Sequence, residues 1–430
     1  MRTNTSDITT LTGGIDVGNG YVKGVIQNTK MGIFDEIDLP SAVVSTSRTS
    51  PKVPLPDGDA SSVLAGDFYN QIDCSLTTPL VAASDRRIFG RAALSVRGSK
   101  FTEFEVIGKH SKADQELSKV LVLGVFAAKA LRDYVREYGA LPDRELCVQV
   151  RAGLALPISE FVARRHTYAA EFVGRLGSTD PAVHLVTIKN FSTPVSVRLE
   201  FVDVQVMAEG ASAQFAITDK GEPLAQALLD DLRARDASIV EGVAASDLVA
   251  VQHTIGVDVG EGTVNFPVFT DGRFNPEASA TLDEGYGTAL MNAMERMSES
   301  DASLQFSSRK QLADFLHGVP SVLLKNRHQR ASGFVEEEAS YLVDEIVSFF
   351  GDVLSQAGAT TEVVYVYGGG SGPIKHLLHP ALLKAAADVP VLYLDSSYSR
   401  HLNREGLYIA ARHVEQQASA AQDGTKKKAA

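Results

Sequence analysis

Gly14-Ile15-Asp16-Val17-Gly18-Asn19-Gly20-Tyr21-Val22-Lys23 returns later in the chain as Gly256-Val257-Asp258-Val259-Gly260-Glu261-Gly262-Thr263-Val264-Asn265, with six of the ten positions identical. Each copy predicts an apolar strand ending in an aspartate, a turn containing two glycines, and a second apolar strand. Glycine permits a tight turn whose N–H groups face an anion, and an aspartate beside it can hold Mg²⁺ through water. The repetition therefore favours two phosphate-binding hairpins over two ordinary β-hairpins with glycine turns.

Composition excludes several classes of protein. The chain has 430 residues, enough for two or three domains, with the 44% apolar and 22% charged residues of a soluble globular protein. A net charge of −12 argues against a nucleic-acid-binding surface along the whole chain. The two cysteines, Cys74 and Cys147, make no disulfide framework and indicate a reducing, cytoplasmic location. We find no signal peptide in residues 1–10 and no run of about 18 apolar residues, so we expect no membrane association.

Strands alternate with helices in both halves, which predicts an α/β protein with two sheet-based domains. We expect domain I at 12–250 with an inserted subdomain at about 34–108, and domain II at 251–395 with a smaller subdomain at about 275–335. A C-terminal helix at 396–415 is expected to return to domain I. Residues 1–11 are predicted to be a disordered lead-in, residues near 45–60 a mobile loop, and residues 416–430 a disordered basic tail.

Several elements are predicted from local pattern. Apolar spacing indicates helices at 112–138 and 338–355, and Ser308 is a good N-cap for a helix that runs to His317. Alternating residues predict a hairpin near 190–194. A third glycine-rich element, Gly368-Gly369-Gly370-Ser371-Gly372-Pro373, follows a wholly apolar strand. None of the three glycine elements matches a Walker A loop or the Rossmann dinucleotide spacing.

Together these three elements resemble those of the actin superfamily of ATPases. Asp16 to Lys23 is similar to the first phosphate loop of that superfamily, Asp258 to Thr263 to its second, and Val364 to Gly372 to its adenosine motif. The chain most resembles the bacterial ParM/StbA group, which includes plasmid and prophage segregation actins. Further features of that group are Leu39-Pro40-Ser41-Ala42, Gly153-Leu154 with Pro157, Glu209-Gly210, and Asn403-Arg404-Glu405-Gly406-Leu407. The resemblance spans residues 13 to about 412, and residues 211–250 and the tail depart from it.

The resemblance implies an actin-like ATPase fold in which each domain carries a smaller subdomain and a nucleotide cleft lies between the domains. ATP and Mg²⁺ are the implied cofactors, with Asp16 and Asp258 holding the metal through water. Glu209 corresponds to the residue that orients the attacking water, and Asp16 and Asp258 complete the catalytic set. The residues implied to contact the nucleotide are Gly18, Asn19, Gly20, Tyr21, Lys23, Gly260, Glu261, Gly262, Thr263, Arg309, Lys310, Gly368, Gly369, Gly370 and Ser371.

Structural roles compete with these functional ones. The alternative for Lys23 is a solvated lysine at a strand end, and the alternative for Glu209 is a carboxylate that interacts with the dipole of the following helix, but the functional role is favoured for both. For Arg309 and Lys310 a solvated helix face is favoured over a contact with the nucleotide. His253 is expected to be a packed histidine and not a catalyst.

At the level of function, the resemblance implies an ATPase that polymerises head to tail into dynamic filaments. Such a filament would segregate plasmid or prophage DNA, with an adaptor protein making the contact to DNA. A small-molecule kinase of the same superfamily is the alternative, but it needs a catalytic aspartate outside the two hairpins, and we identify none. A chaperone-type ATPase would need an additional peptide-binding domain.

Overall fold

The computed structural model describes residues 8–46, 60–64, 67–81, 86–96, 100–103, 111–174, 180–235, 238 and 240–413. The chain divides into two compact units. Unit 1 contains Met1–Ala216 and Asn403–Ala430, and unit 2 contains Ile217–Leu402. Each unit has its own β-sheet and its own apolar core, as the alternation of strands and helices predicts.

Unit 1 is built on a mixed sheet to which the described residues contribute ten strands. These are β1 (Ile8–Val17), β2 (Tyr21–Asn28), β3 (Ile33–Pro40), β4 (Ala42–Thr46), β5 (Asp73–Thr77), β6 (Arg86–Phe89), β7 (Lys100–Glu103), β8 (Leu146–Leu156), β9 (His184–Ile188) and β10 (Val195–Ala208). Their order across the sheet is β3-β2-β1-β8-β10-β9-β5-β6-β4-β7. Strands β1, β8 and β10 are parallel, so their carboxyl ends meet at one edge of the sheet.

The helices of unit 1 cover this sheet. They are α1 (Ser61–Leu64), α2 (Gly90–Ser95), α3 (Glu116–Tyr138) and α4 (Ile158–Val173), with a 3₁₀ turn at Phe68–Gln71. Helix α3 is buried on almost all sides, and its Phe126 packs edge to face on Phe201 of β10 at 5.8 Å between ring centroids. The helix ends at Gly139, whose left-handed backbone (φ 67°) forms a glycine C-cap.

Unit 2 has a second mixed sheet of β11 (Thr254–Val259), β12 (Val264–Phe266), β13 (Val268–Thr270), β14 (Arg273–Phe274), β15 (Ala280–Leu282), β16 (Val363–Tyr367) and β17 (Val391–Tyr393). Strand β16 is parallel to both β11 and β17, and β12 and β13 both pair with β11 in the antiparallel sense. Pro267 separates β12 from β13 because it has no N–H to donate to the ladder.

The helices of unit 2 are α5 (Ala211–Arg233), which begins in unit 1, α6 (Ala245–Ala250), α7 (Tyr286–Ser300), α8 (Arg309–His317), α9 (Lys325–Ala357), α10 (Ser371–Ala386) and α11 (Ser396–Ser399). Helix α5 is interrupted at Gly221, where φ is 57°. Helices α7, α8 and the first half of α9 bury an apolar cluster of their own, which includes Met297, Leu312 and Val335. This cluster falls mostly within the range predicted for the smaller subdomain.

The last helix, α12, spans residues 402–413, and all but its first residue belong to unit 1. Its Arg404 makes an ion pair with Glu36 of β3 at 2.6 Å, and the hydroxyl of Tyr408 donates to Gln27 of β2 at 2.7 Å. None of the helices in the described part of the chain combines the length and apolar character that a bilayer-spanning helix requires.

The boundary between the units lies at Ala216 and Ile217, and the predicted boundary near residue 250 is wrong. The sequence between these points belongs to unit 2, where Asp231 of α5 lies 3.6 Å from Lys375 of α10. Leu228, Leu229 and Leu232 are buried, so this half of α5 needs an apolar partner. The resemblance offered no guide here, because residues 211–250 are where it fails.

The structure also gives different bounds for three predicted elements. Ile8 to Leu11 belong to β1 and pair with β8, so the disordered lead-in is wrong for these residues. Helix α3 begins at Glu116 and not at Lys112, because 111–114 form a hydrogen-bonded turn. Helix α9 begins at Lys325 and not at 338. Its first half packs in the cluster with Met297 and Leu312, whereas its second half packs on the sheet of unit 2. Most of the predicted mobile loop (47–59) and the tail (414–430) lie outside the described residues.

Candidate functional site

The first glycine turn joins β1 to β2 in unit 1. Asp16 pairs with Lys23 in the antiparallel ladder, and the turn closes with a hydrogen bond from the Gly18 amide to the Tyr21 carbonyl at 3.0 Å. A Cβ on Gly18 would lie 3.0 Å from the same carbonyl oxygen, so a side chain there would crowd the turn. Asn19 and Gly20 form its partly exposed tip.

The second glycine turn joins β11 to β12 in unit 2 and repeats the first one closely. Asp258 pairs with Asn265, the Gly260 amide donates to the Thr263 carbonyl at 2.9 Å, and a Cβ on Gly260 would lie 2.8 Å from that oxygen. The prediction of two hairpins of one design is therefore confirmed. In each, the aspartate occupies the same ladder position beside a turn that has no room for a side chain at its first glycine.

Ser41 holds the first turn in place. Its amide donates to the Gly20 carbonyl at 2.9 Å and its hydroxyl to the Gly18 carbonyl at 2.6 Å. Ser41 is buried where β3 passes into β4. The sequence marks this residue only through the Leu39-Pro40-Ser41-Ala42 feature, and its role as a support for the turn comes from the structure.

In unit 2 the second turn is held by two helix starts. At the start of α7, the Tyr286 amide donates to the Gly260 carbonyl at 3.1 Å and the Gly287 amide to the Glu261 carbonyl at 2.8 Å. Just before α10, the Gly370 amide donates to the Val259 carbonyl at 2.8 Å. The second phosphate-loop candidate and the adenosine-motif candidate are thus joined directly by backbone hydrogen bonds.

The third glycine element depends on Gly368, whose φ of 96° disfavours any residue with a side chain. The hydroxyl of Ser371 donates to the Gly368 carbonyl at 2.8 Å, and the hydroxyl of Tyr393 donates to the Ser371 carbonyl at 2.6 Å. The side chain of Ser371 is fully buried, so it shapes the turn, whereas Gly369 is exposed. A nucleotide contact by Ser371 remains a prediction.

The two aspartates differ in their surroundings. Asp258 is only 5% exposed and lies beside Gly368, while Asp16 is half-buried. Burial, and after it the Asp258 carboxylate, raises the pKa of Tyr367 well above its ordinary value. The Asp258 carboxylate therefore lies in a poorly solvated position beside Gly368 and Tyr367.

Glu209 follows the last residue of β10, at the sheet edge where β1 and β8 also end. Its amide donates to the Leu156 carbonyl at 2.8 Å, which fixes its backbone to the end of β8. Its carboxylate oxygen Oε1 accepts a charged hydrogen bond from Lys112 Nζ, in a pair with only 7% (Lys112) and 13% (Glu209) of the side chains exposed. Burial opposes the charge on Lys112, but the carboxylates of Glu209 and Asp16 outweigh it and raise the pKa of Lys112.

Glu160 of α4 fixes the turn that carries Lys112. Its carboxylate accepts hydrogen bonds from the Ser111 hydroxyl at 2.6 Å, the Lys112 amide at 2.8 Å and the Ala113 amide at 3.0 Å. Sequence reasoning missed both Lys112 and Glu160. The only signal was the polar run Ser111-Lys112-Ala113-Asp114 ahead of the apolar part of α3.

Of the two basic residues predicted on α8, only Arg309 lies at the second turn. Its Nη1 is 3.2 Å from Glu261 Oε1 but without hydrogen-bond geometry, and this buried atom has no hydrogen-bond partner in the described part of the chain. Lys310 instead pairs with Asp314 at 2.9 Å on an exposed helix face. His253 lies 3.5 Å from Asp271 Oδ1 and outside this group of residues.

The remaining predicted residues complete the turns. Tyr21 and Lys23 begin β2, and Gly262 and Thr263 close the second turn. Both turns are crowded at their first glycine, where a Cβ would meet a backbone carbonyl oxygen, and Arg309 presents a buried donor without a hydrogen-bond partner in the described residues; both features fit phosphate groups. Over the described ranges no three His, Cys, Asp or Glu side chains lie together as a set of metal ligands.

Comparisons with known proteins agree with this geometry. Neither a protein-family model nor a curated protein sequence matches the chain. Solved structures do match over nearly its whole length. The actin-like protein Alp7A has a TM-score of 0.62 at 14% identity, covering 97% of this chain and 100% of its own. Bacillus thuringiensis ParM, solved with ATP, has a TM-score of 0.56 at 14% identity, covering 95% of this chain and 99% of its own.

A third structure extends the similarity beyond bacteria. The archaeal actin homolog Ta0583, in complex with ADP, has a TM-score of 0.56 at 14% identity and covers 94% of this chain and 99% of its own. The structural match over nearly the whole chain establishes the fold. The resemblance drawn from the three glycine elements is confirmed: the chain has the actin-like ATPase fold and resembles the ParM-like bacterial actins.

Proposed function

We propose that this protein binds ATP with Mg²⁺ and hydrolyses it. The observation that carries the proposal is the pair of matching turns, each with an aspartate at the same ladder position and a glycine amide bonded back across the turn. Short turns of this type occur in many proteins, but two matching copies on an actin-like fold are a specific indication of nucleotide binding. The unsatisfied buried Nη1 of Arg309 beside the second turn supports an anionic ligand.

Each group of residues has a role in this proposal. The backbones of the two turns (Gly18 to Tyr21 and Gly260 to Thr263) bind phosphate oxygens, and Lys23 adds a positive charge. Asp16 and Asp258 hold Mg²⁺ through water, and the metal would neutralise charge on the phosphates. Gly369 and Gly370 let the adenosine approach the backbone closely. Glu209 orients the attacking water, which is sufficient because phosphoryl transfer depends mainly on positioning and charge.

We further propose that the protein polymerises head to tail into filaments in response to ATP. Similarity to Alp7A and ParM supports this, and so does an exposed apolar segment at residues 318–324, which we call the apolar loop. Val319, Val322 and Leu323 in this loop are 98%, 92% and 91% exposed, an unusual exposure for three neighbouring aliphatic side chains. A contact of this loop with a different surface of the next copy would be heterologous and would build an open filament.

The cargo we propose is plasmid or prophage DNA in the cytoplasm, reached through an adaptor protein. The net charge of −12 makes direct binding of DNA along the chain unfavourable, so an adaptor would supply the contact.

Sedimentation with and without nucleotide tests the proposal, together with phosphate release from ATP on the same samples. We expect a pellet that requires ATP and phosphate release that requires Mg²⁺. A chain that stays monomeric and transfers phosphate to a sugar would instead be a kinase of the same superfamily. A chain that neither binds ATP nor sediments would contradict the proposal.

A further inference from the structure

We propose that Lys112 is a positioning residue for hydrolysis and acts by holding the Glu209 carboxylate in its water-orienting position. The inference rests on the proposed ATPase function and identifies a residue that the turn motifs do not contain. Lys112 Nζ binds Glu209 Oε1 directly, in a pair that is almost withdrawn from solvent.

The geometry separates this pair from an ordinary surface ion pair. The backbone of Lys112 is fixed on both sides: its amide donates to the Glu160 carboxylate at 2.8 Å, and its carbonyl accepts a hydrogen bond from the Ser118 hydroxyl at 3.3 Å. Glu209 is fixed as well, because its amide is bound to the end of β8. Each side chain therefore extends from a rigid backbone, so the pair costs little conformational entropy to hold in one arrangement.

Charge explains why a lysine is needed at this place. Glu209 lies at the sheet edge shared with Asp16, and bound phosphates would add further negative charge there. Without the Lys112 charge, the Glu209 carboxylate would be repelled by the phosphates and would turn away from the position in which it accepts a hydrogen bond from water. Lys112 interacts with both Glu209 and Asp16, so it compensates this charge and keeps the Glu209 carboxylate in place.

The test compares steady-state phosphate release by Lys112→Met, Lys112→Arg and the wild type, after circular dichroism and melting have shown folded protein. Losing the positioning charge should lower kcat of Lys112→Met by about tenfold or more, with KM for ATP changed by less than about threefold. Lys112→Arg keeps a positive charge and should recover most of the lost kcat. Combining Lys112→Met with Glu209→Gln should lower kcat no further than Glu209→Gln alone, because the two residues act as one unit.

Lys119→Met is the matched control. Lys119 of α3 makes a partly buried ion pair with Glu171 of α4 at 2.6 Å. The Lys119→Met variant should leave kcat unchanged. Several results would overturn the inference: a kcat of Lys112→Met equal to the wild type, an additive double variant, or a large rise in KM alone, which would mean a direct phosphate contact. A wild-type chain that releases no phosphate would overturn the proposed ATPase function as well, so the two failures are distinguishable.

Discussion

Gly153 of β8 lies against the backbone of Leu407 so closely that a Cβ on Gly153 would overlap the Leu407 carbonyl. Gly14 of the neighbouring strand β1 also has no space for a side chain, because its Cα faces the backbone amide of Tyr408. Helix α12 therefore rests directly on two strands of the sheet in unit 1. Gly406, on the helix itself, is excluded from having a side chain by the Ser212 backbone.

Gly153→Ala should destabilise unit 1, because the backbone of α12 cannot yield as a flexible side chain would. We expect a loss of about 1–3 kcal/mol, the usual cost of overpacking. Chemical denaturation followed by circular dichroism measures it. The control is Gly333→Ala in α9, where a Cβ meets nothing within 4 Å and the better helix propensity of alanine should stabilise slightly. Equal stability of Gly153→Ala and wild type would show that α12 moves aside freely.

Asp258→Ala should weaken binding of ATP in the presence of Mg²⁺ at least tenfold, or about 1.4 kcal/mol, because the proposed metal loses a carboxylate. Isothermal titration calorimetry with and without Mg²⁺ gives the affinity. Asp352→Ala, which removes an exposed carboxylate of the same unit, is the matched control and should bind as the wild type does. Unchanged affinity in Asp258→Ala would remove this aspartate from the nucleotide site.

Glu209→Ala should slow hydrolysis on the order of 10²-fold while ATP still binds, since one water-orienting group is lost from a preorganised site. Filaments should form and persist, because phosphate is released slowly. The melting temperature should also fall, since Lys112 loses its buried partner. Phosphate release and filament lifetime are measured on the same preparation below its melting range. Normal phosphate release with a lowered melting temperature would leave Glu209 a purely structural role.

Replacing two residues of the apolar loop, Val322→Ser with Leu323→Ser, should raise the critical concentration for assembly by about tenfold or more, as expected when apolar contact area is lost. ATP affinity should not change, because the side chains of Val322 and Leu323 are 92% and 91% exposed and are not among the residues proposed to bind the nucleotide. Light scattering after ATP addition reports the critical concentration. Val162→Ser, at a 57% exposed valine on α4, is the matched control. Assembly at the wild-type concentration would exclude this loop from the filament contact.

Stability should fall with acidification through His184, which is buried in unit 1. Burial lowers the pKa of His184, outweighing its bond to the Phe172 carbonyl. Since the unfolded chain takes up the proton first, the contribution of His184 to stability is present above about pH 6.5 and is lost as the pH falls below it, at up to about 1.4 kcal/mol per pH unit. Urea denaturation at pH 7.5, 6.5 and 5.5 measures the slope.

His184→Gln should flatten this pH dependence while lowering stability at pH 7.5, because Gln cannot reproduce the bonds to Thr78 and Phe172. His317→Gln, at an exposed position on α8, should change neither quantity. An equally steep slope in His184→Gln would assign the acid sensitivity to another group.

The sequence by itself determined the two turns, the position of each aspartate and the third glycine element. These features are local: the hydrogen bonds that close the turns, between Gly18 and Tyr21 and between Gly260 and Thr263, each join residues three positions apart. A side chain at Gly18 or Gly260 would approach the carbonyl oxygen three residues later, and this crowding is set by the local backbone alone. The alternation of strands and helices predicted an α/β protein, and the resemblance of these three elements to those of the actin superfamily predicted the actin-like fold.

Only the tertiary structure decided which side chains accompany the turns. Lys112 and Glu209 are 97 residues apart in the sequence. They meet because Glu160 of α4 binds the turn that carries Lys112, and because β10 pairs with β8, whose end holds the Glu209 amide. The boundary inside α5 and the early start of α9 also depend on which core receives a given apolar face. These features depend on packing between segments that are distant in sequence. Local periodicity identifies the apolar face of a helix, but it does not identify the segment on which that face packs.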